Sequence, residues 1–177
     1  MLDAIIYPKK NMEQLVNRVA QSGLITFNLE DLYPQEPFME FDLKDHLFRG
    51  LILREKDFRE ALKNTDWTQY QGAHLAVFCS ADAIIPVWAY QLLAIHAEPF
   101  VKSIHFGNQT VALQNLYNQS LSQLDLQRFS GQRVVIKGCS DKPVPASAYM
   151  ELARLLRPIA KSIMYGEPCS TVPLYKM

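Results

Sequence analysis

Apolar and polar positions alternate with two different periods along this chain, and the change of period marks its elements. From Leu24, "LITFNLED" and then "FMEFDLKD" alternate apolar and polar residues, the period-two pattern of half-buried strands, and the turn-rich "LYPQEP" joins them. Short β-branched runs, "LAVFC" ending at Cys79 and "VVIKG" ending at Gly138, have the length and composition of buried strands. Each leads through a polar link to a proline, Pro86 or Pro145, whose fixed φ and missing N–H suit the first position of a helix. Beyond the prolines the period becomes helical. Tyr90, Leu93, Ala94 and Ala97 recur on one face, as do Tyr149, Leu152, Ala153 and Leu156. Pro99 and Pro158 stop these helices, and "KSIHFG" and "KSIMYG" read as short second strands closed by glycine. Further helices are predicted from "EKDFREALKN" and "NQTVALQNLYNQSL". Another is predicted from "NMEQLVNRVAQSG", with Asn11 as its cap and Gly23 as its stop. Residues 1–10 carry no clear pattern and read as a loose leader.

The two strand-helix-strand stretches are versions of each other. Shifted by 59 positions, Asp66–Gly107 aligns with Asp125–Gly166 without a gap, and thirteen of the forty-two aligned positions are identical. Average residue usage gives roughly two or three such matches by chance. The matches include Gly72/Gly131, Asp82/Asp141, Pro86/Pro145, Tyr90/Tyr149, Leu93/Leu152, Lys102/Lys161, Ser103/Ser162 and Gly107/Gly166. They read as a tandem duplication inside a single domain spanning 1–177. A strand, helix, strand order implies a right-handed parallel crossover. The expected architecture is therefore α/β, with a mainly parallel sheet built from two helix-strand-helix-strand units, about 55–107 and 114–166. The two N-terminal strands are expected as an antiparallel addition.

Composition narrows the partners more than it names them. Lys plus Arg and Asp plus Glu both number 18, so the formal charge is zero and no basic footprint for nucleic acid or anionic membrane is present. The most apolar window, 81–100, is broken by Asp82, Pro86, Gln91, His96 and Glu98, which excludes a membrane-spanning helix there. The N-terminus lacks a basic start, a long apolar stretch and a small-residue cleavage site, so a cytoplasmic protein is expected. In that compartment three widely spaced cysteines are expected as reduced thiols or metal ligands. Phosphate-loop, dinucleotide-binding and nucleophile-elbow signatures are missing from the sequence.

Chemistry in such a sheet gathers outside the carboxyl ends of the strands. The duplicated phrase delivers Cys79, Ser80 and Asp82 there from one unit and Cys139, Ser140 and Asp141 from the other, with Cys169 and Ser170 entering just beyond the last predicted strand. Three thiolates on one rim suit zinc or part of an iron–sulfur cluster, and Asp42, Asp45 and His46 are candidates for a fourth ligand. The same cysteines read equally as small buried hydrophobes or as reactive thiols. Asp82 and Asp141 are either turn formers ahead of a helix or a pair of acids fit for proton transfer or a hard cation. The four histidines form no metal-binding spacing.

The phrases "FDLKDHLFRGLILREKDFRE", "CSADAIIPVWAY", "VIKGCSDKPVPASAYMEL" and "SIMYGEPCSTVPLYK" resemble an uncharacterised bacterial family, domain of unknown function 2480, over nearly the whole chain from about Met12. The resemblance implies no activity. It does imply that members are often encoded beside iron–sulfur cluster assembly genes. The leading expectation is thus an accessory factor, more a binder than an enzyme, that handles iron–sulfur clusters or metal through Cys79, Cys139 and Cys169, with iron–sulfur assembly proteins as partners. The alternatives are a protein-interaction module, homodimeric in one version, with structural cysteines, and a thiol-dependent or acid/base enzyme using the strand-end Cys and Asp residues.

Overall fold

The computed structural model describes residues 23–138 and 140–177. The predicted helix over residues 11–22, the leader 1–10 and Cys139 lie outside the described residues. The described residues form nine strands and four α-helices: β1 (Leu24–Asn28), β2 (Phe38–Asp42), β3 (Leu47–Phe48), β4 (Ile52–Leu53), α1 (Glu55–Asn64), β5 (His74–Phe78), α2 (Val87–Ala97), β6 (Ser103–Phe106), α3 (Gln109–Ser122), β7 (Arg133–Lys137), α4 (Ala146–Leu156), β8 (Ser162–Glu167) and β9 (Ser170–Lys176). Short 3-10 turns follow β1 and β2, their first N–H groups held by the side chains of Asn28 and Asp42.

The two predicted units form, but on two sheets. One sheet has the order β2-β5-β6, all parallel; the other has the order β1-β7-β8-β9, parallel except for its last strand. Their registers match at the repeat spacing. His74 faces Ser103 and Val77 faces Phe106 in the first, while Arg133 faces Ser162 and Ile136 faces Tyr165 in the second. Even the turn into each unit is tied alike, with Gly72 N–H donating to Phe100 and Gly131 N–H donating to Ile159, both at 2.8 Å. Pro86 and Pro145 stand one place earlier than predicted, as extended residues just ahead of their helices.

The N-terminal strands depart from the expectation of an antiparallel addition. β1 pairs parallel with β7 and β2 pairs parallel with β5, so the two strands enter different sheets instead of forming a hairpin. Alternation reports that one face of a strand is buried; it carries no information on the direction of the neighbour. Here the intervening 3-10 turn and Pro34 and Pro37 prevent a tight hairpin, and Pro37 C=O instead receives His74 N–H at 2.9 Å, which starts the parallel ladder.

Each sheet has its own core. Phe41, Leu75 and Val77 pack with Phe58 and Leu62 of α1 and with Ala89, Leu93 and Ala97 of α2. Phe27, Val134, Ile136 and Ile163 pack with Leu113, Tyr117 and Leu121 of α3 and with Ala148, Leu152 and Leu156 of α4. Helix α3 also touches β2, β5 and β6 and so joins the halves. Trp67 belongs to the first core, its indole N–H donating to Leu62 C=O at 2.9 Å.

Candidate functional site

A buried or half-buried carboxylate ties down each loop that leaves the carboxyl end of a central strand. After β5, Asp42 Oδ1 accepts from Ser80 N–H at 2.9 Å and from Lys44 N–H at 3.0 Å, while Asp42 Oδ2 accepts from the Ser80 hydroxyl at 2.5 Å. Burial raises the Asp42 pKa, but these bonds and the Lys44 ammonium 3.6 Å away outweigh it and hold the carboxyl below its usual value. After β7, Glu30 accepts from the N–H groups of Ser140 and Asp141. The two anchors are not equivalent residues, since Asp42 ends β2 whereas Glu30 lies in the 3-10 turn after β1. Sequence reasoning had no signal for Glu30, because the partner of a loop amide over a hundred residues away is decided by packing.

Two open cavities flank the second loop. One, of about 440 Å³, lies between the halves and is lined by Tyr33, Glu40, Asn108, Gln109 and the Pro143–Pro145 loop. Its carboxylate is already engaged, Glu40 Oε1 accepting from Gln109 N–H at 3.3 Å at the start of α3. The other, of about 720 Å³, is lined by Ser140, Asp141, Lys142, Tyr149 and Tyr165. Lys142 stands over the Tyr33 ring at 5.3 Å. The described lining residues mix aromatic faces with a few polar groups, a surface suited to binding.

The predicted site residues are distributed as follows. Cys79 is a half-buried free thiol whose Sγ lies 3.6 Å from Ala81 C=O, at the end of the first sheet. Cys169 is an exposed free thiol in the turn between β8 and β9, on the second sheet. Among the described residues no group of three or more His, Cys, Asp or Glu side chains could hold a metal ion; Cys139 lies outside that set. Asp82, Asp141 and Ser170 are exposed, as is Asp45. His46 is stacked on Phe41 at 5.0 Å and set edge-on to Phe58 at 5.5 Å, and burial there pushes its pKa down against the pull of Asp45.

A larger apolar feature was not singled out from sequence. Helix α2 carries apolar residues around its whole circumference and no Asp, Glu, Lys or Arg. Ile84, just ahead of it, is 93% exposed, and Val87 and Ile95 are 73% and 72% exposed on its outer face. On β6, Phe106 is 70% exposed, its ring 5.1 Å from that of Tyr90 on the flank of α2. The equivalent positions of the second unit are Pro143, Ala146, Arg154 and Tyr165; Arg154 is paired with Glu151 at 2.6 Å, and Tyr165 faces Val172 of β9. The fold therefore does not require apolar residues on that outer face.

No helix among the described residues is long and apolar enough to cross a membrane. No curated protein and no solved structure is significantly similar to the chain. One family model, described as "Protein of unknown function (DUF2480)", matches residues 13–177 and takes in both units, both anchored loops and the exposed face of α2. The chain belongs to the DUF2480 family.

Proposed function

We propose that the protein is an interaction module that pairs with a second copy of itself through the outer face of α2 and the adjoining Phe106. The observation that carries this reading is the exposure of Ile84, Val87, Ile95 and Phe106 on one unit, where the four matching positions of the sister unit are Pro143, Ala146, the paired Arg154 and the better covered Tyr165, Met150 being the exposed apolar residue of its helix. Contiguous exposed apolar surface on a folded protein marks a contact face. A second copy suits it on electrostatic grounds. The helix carries no charged residue, and with 18 basic and 18 acidic side chains the two copies approach without net repulsion. A two-fold arrangement places the same patch on both sides of the interface. Sedimentation equilibrium provides the test. The native chain should populate a dimer that Ile95→Arg and Phe106→Ser convert to a folded monomer, Arg being what the sister helix carries at the matching place. A native chain that stays monomeric at high micromolar concentration overturns the reading.

A second reading assigns the chain to iron–sulfur cluster or metal handling in the cytoplasm, with Cys79, Cys139 and Cys169 as ligands and iron–sulfur assembly proteins as partners. It is supported by the free state of both described thiols and by the placing of Cys79 at a strand's carboxyl end. The described residues do not by themselves assemble a ligand set, so a site would need Cys139 or a second protein to complete it. Metal analysis and an absorbance spectrum of anaerobically purified protein decide the matter. Zinc or iron lost on a triple Cys→Ala change supports it, and metal-free protein indifferent to that change removes it.

A further inference from the structure

The amino-terminal edge of the first sheet, opposite the anchored loops, holds a polar chain that neither reading above uses. His74 opens β5 and Ser103 opens β6, and the two are direct register partners. The period of two in a strand puts His105 on the same side as Ser103. His74 Nδ1 lies 2.7 Å from Ser103 Oγ, and Ser103 Oγ lies 2.7 Å from His105 Nε2. On its other side His74 Nε2 lies 3.5 Å from Glu36 Oε2, and Glu36 Oε1 lies 3.5 Å from Lys102 Nζ. His74 is 4% exposed and rests against the Phe38 ring at 5.4 Å, so its ring is held in place.

Proton counting gives this chain a direction. The His74 tautomer with its proton on Nε2, toward the accepting Glu36 carboxylate 3.5 Å away, leaves Nδ1 bare. In that tautomer Ser103 donates its hydroxyl proton to His74 Nδ1, and its oxygen accepts from His105 Nε2–H. Burial, then the neighbouring His74, pushes the His105 pKa down, which keeps that ring a neutral donor at pH 7. A hydroxyl donating to an imidazole whose far nitrogen is oriented by a carboxylate is the arrangement that activates serine nucleophiles. The sister unit supplies an internal control. There the matching residues are Arg133, Ser162 and Met164, so the serine is shared but the histidines are not, and Ser162 is 8% exposed where Ser103 is half-buried.

We propose that Ser103 is an activated hydroxyl that accepts an acyl group from activated esters or thioesters, with His74 as its base, Glu36 as the positioning residue for His74, and His105 as a hydrogen-bond donor beside it. In the step, Ser103 Oγ bonds to the acyl carbon as its proton passes to His74 Nδ1. The bond to the leaving oxygen or sulfur breaks, and that atom takes the proton from His74, leaving acyl-Ser103 and a free alcohol or thiol. His105 shares a cavity with Tyr90, Gln91 and Ala94 of α2 and with Phe106, but Ile95 does not line it, so Ile95→Arg leaves the polar chain intact.

p-Nitrophenyl acetate is the probe, with nitrophenolate release followed by absorbance and the acylated residue located by peptide mass mapping of the full-length chain. The expected result is one acetyl group on Ser103 of the native protein. His74→Gln should slow labelling by about a hundredfold or more. Glu36→Gln should slow it less and alter the pH profile, and Ser162→Ala should leave it unchanged. Acetyl groups found only on lysines or the N-terminus of the native protein overturn the proposal, and so does Ser103 labelling at an unchanged rate in a folded His74→Gln variant.

Discussion

Removing the Asp42 carboxylate tests whether the first anchored loop is held in the manner described. In the folded protein this group accepts three hydrogen bonds, two from Ser80 and one from Lys44, and it caps the 3-10 turn that follows β2. Loss of a capping side chain costs about 1 kcal/mol. Hydrogen bonds to a charged acceptor are worth about 1.5–3 kcal/mol when buried, but Ser80 is exposed and its groups regain water, so the lower end applies. Asp42→Ala should therefore lower unfolding stability by about 2–3 kcal/mol. Asp42→Asn should cost about 1 kcal/mol, because asparagine caps as well as aspartate and gives up only the charge. Urea unfolding followed by circular dichroism measures both, and a double-mutant cycle with Ser80→Ala isolates the pair, with an expected coupling of about 1 kcal/mol. The pH dependence has a definite sign. The folded pKa of Asp42 lies below the ordinary value of 3.8, so its charge stabilises above that value, and the contribution is lost as pH falls through the folded pKa. The gap between native protein and Asp42→Asn should thus narrow below about pH 4. A coupling of zero with Ser80, or a gap that persists undiminished in acid, would refute the latch.

Two further outcomes follow from the two cores and from the close approach at Gly138. Leu93 and Leu152 occupy matching places, both fully buried, one in each core. Leu93→Ala and Leu152→Ala should each cost about 2–5 kcal/mol, and because they line separate clusters their effects in the double variant should add within about 0.5 kcal/mol, as read by chemical denaturation. At Gly138, φ is +149° and an added Cβ would meet Leu29 Cβ at 2.9 Å, so Gly138→Ala should lower the thermal midpoint in calorimetry.

Much of this fold is legible along the chain because local rules govern it. The strand ending at Cys79, the helix after Pro86 and the second strand before Gly107 each announce themselves by period and punctuation, and their copies 59 positions on do the same. The anchors were not legible. Along the chain Asp42 reads as a candidate ligand and Glu30 carries no signal, because the loop amides each one satisfies belong to residues brought near only by folding. The exposed face of α2 was hidden for a related reason: an apolar helix in a sequence reads as a buried one, and exposure is a property of what lies opposite. The Glu36–His74–Ser103–His105 chain leaves no local pattern, because its members are spread over seventy residues and join only through the register of β5 with β6.

The sequence by itself determined the strands and helices of the two units and the strand character of β1 and β2, but not β3, β4 or β9, and it placed three cysteines beyond predicted strands. Backbone geometry, proline and glycine punctuation, and the burial of one face act over a few residues, and a linear pattern records them. Only the tertiary structure decided that β1 and β2 run parallel to their partners in separate sheets, which carboxylate holds which loop, and which apolar face stays uncovered. Those outcomes depend on contacts between segments far apart along the chain, where shape, direction and the need to satisfy each buried polar group select one pairing among several that the pattern allows.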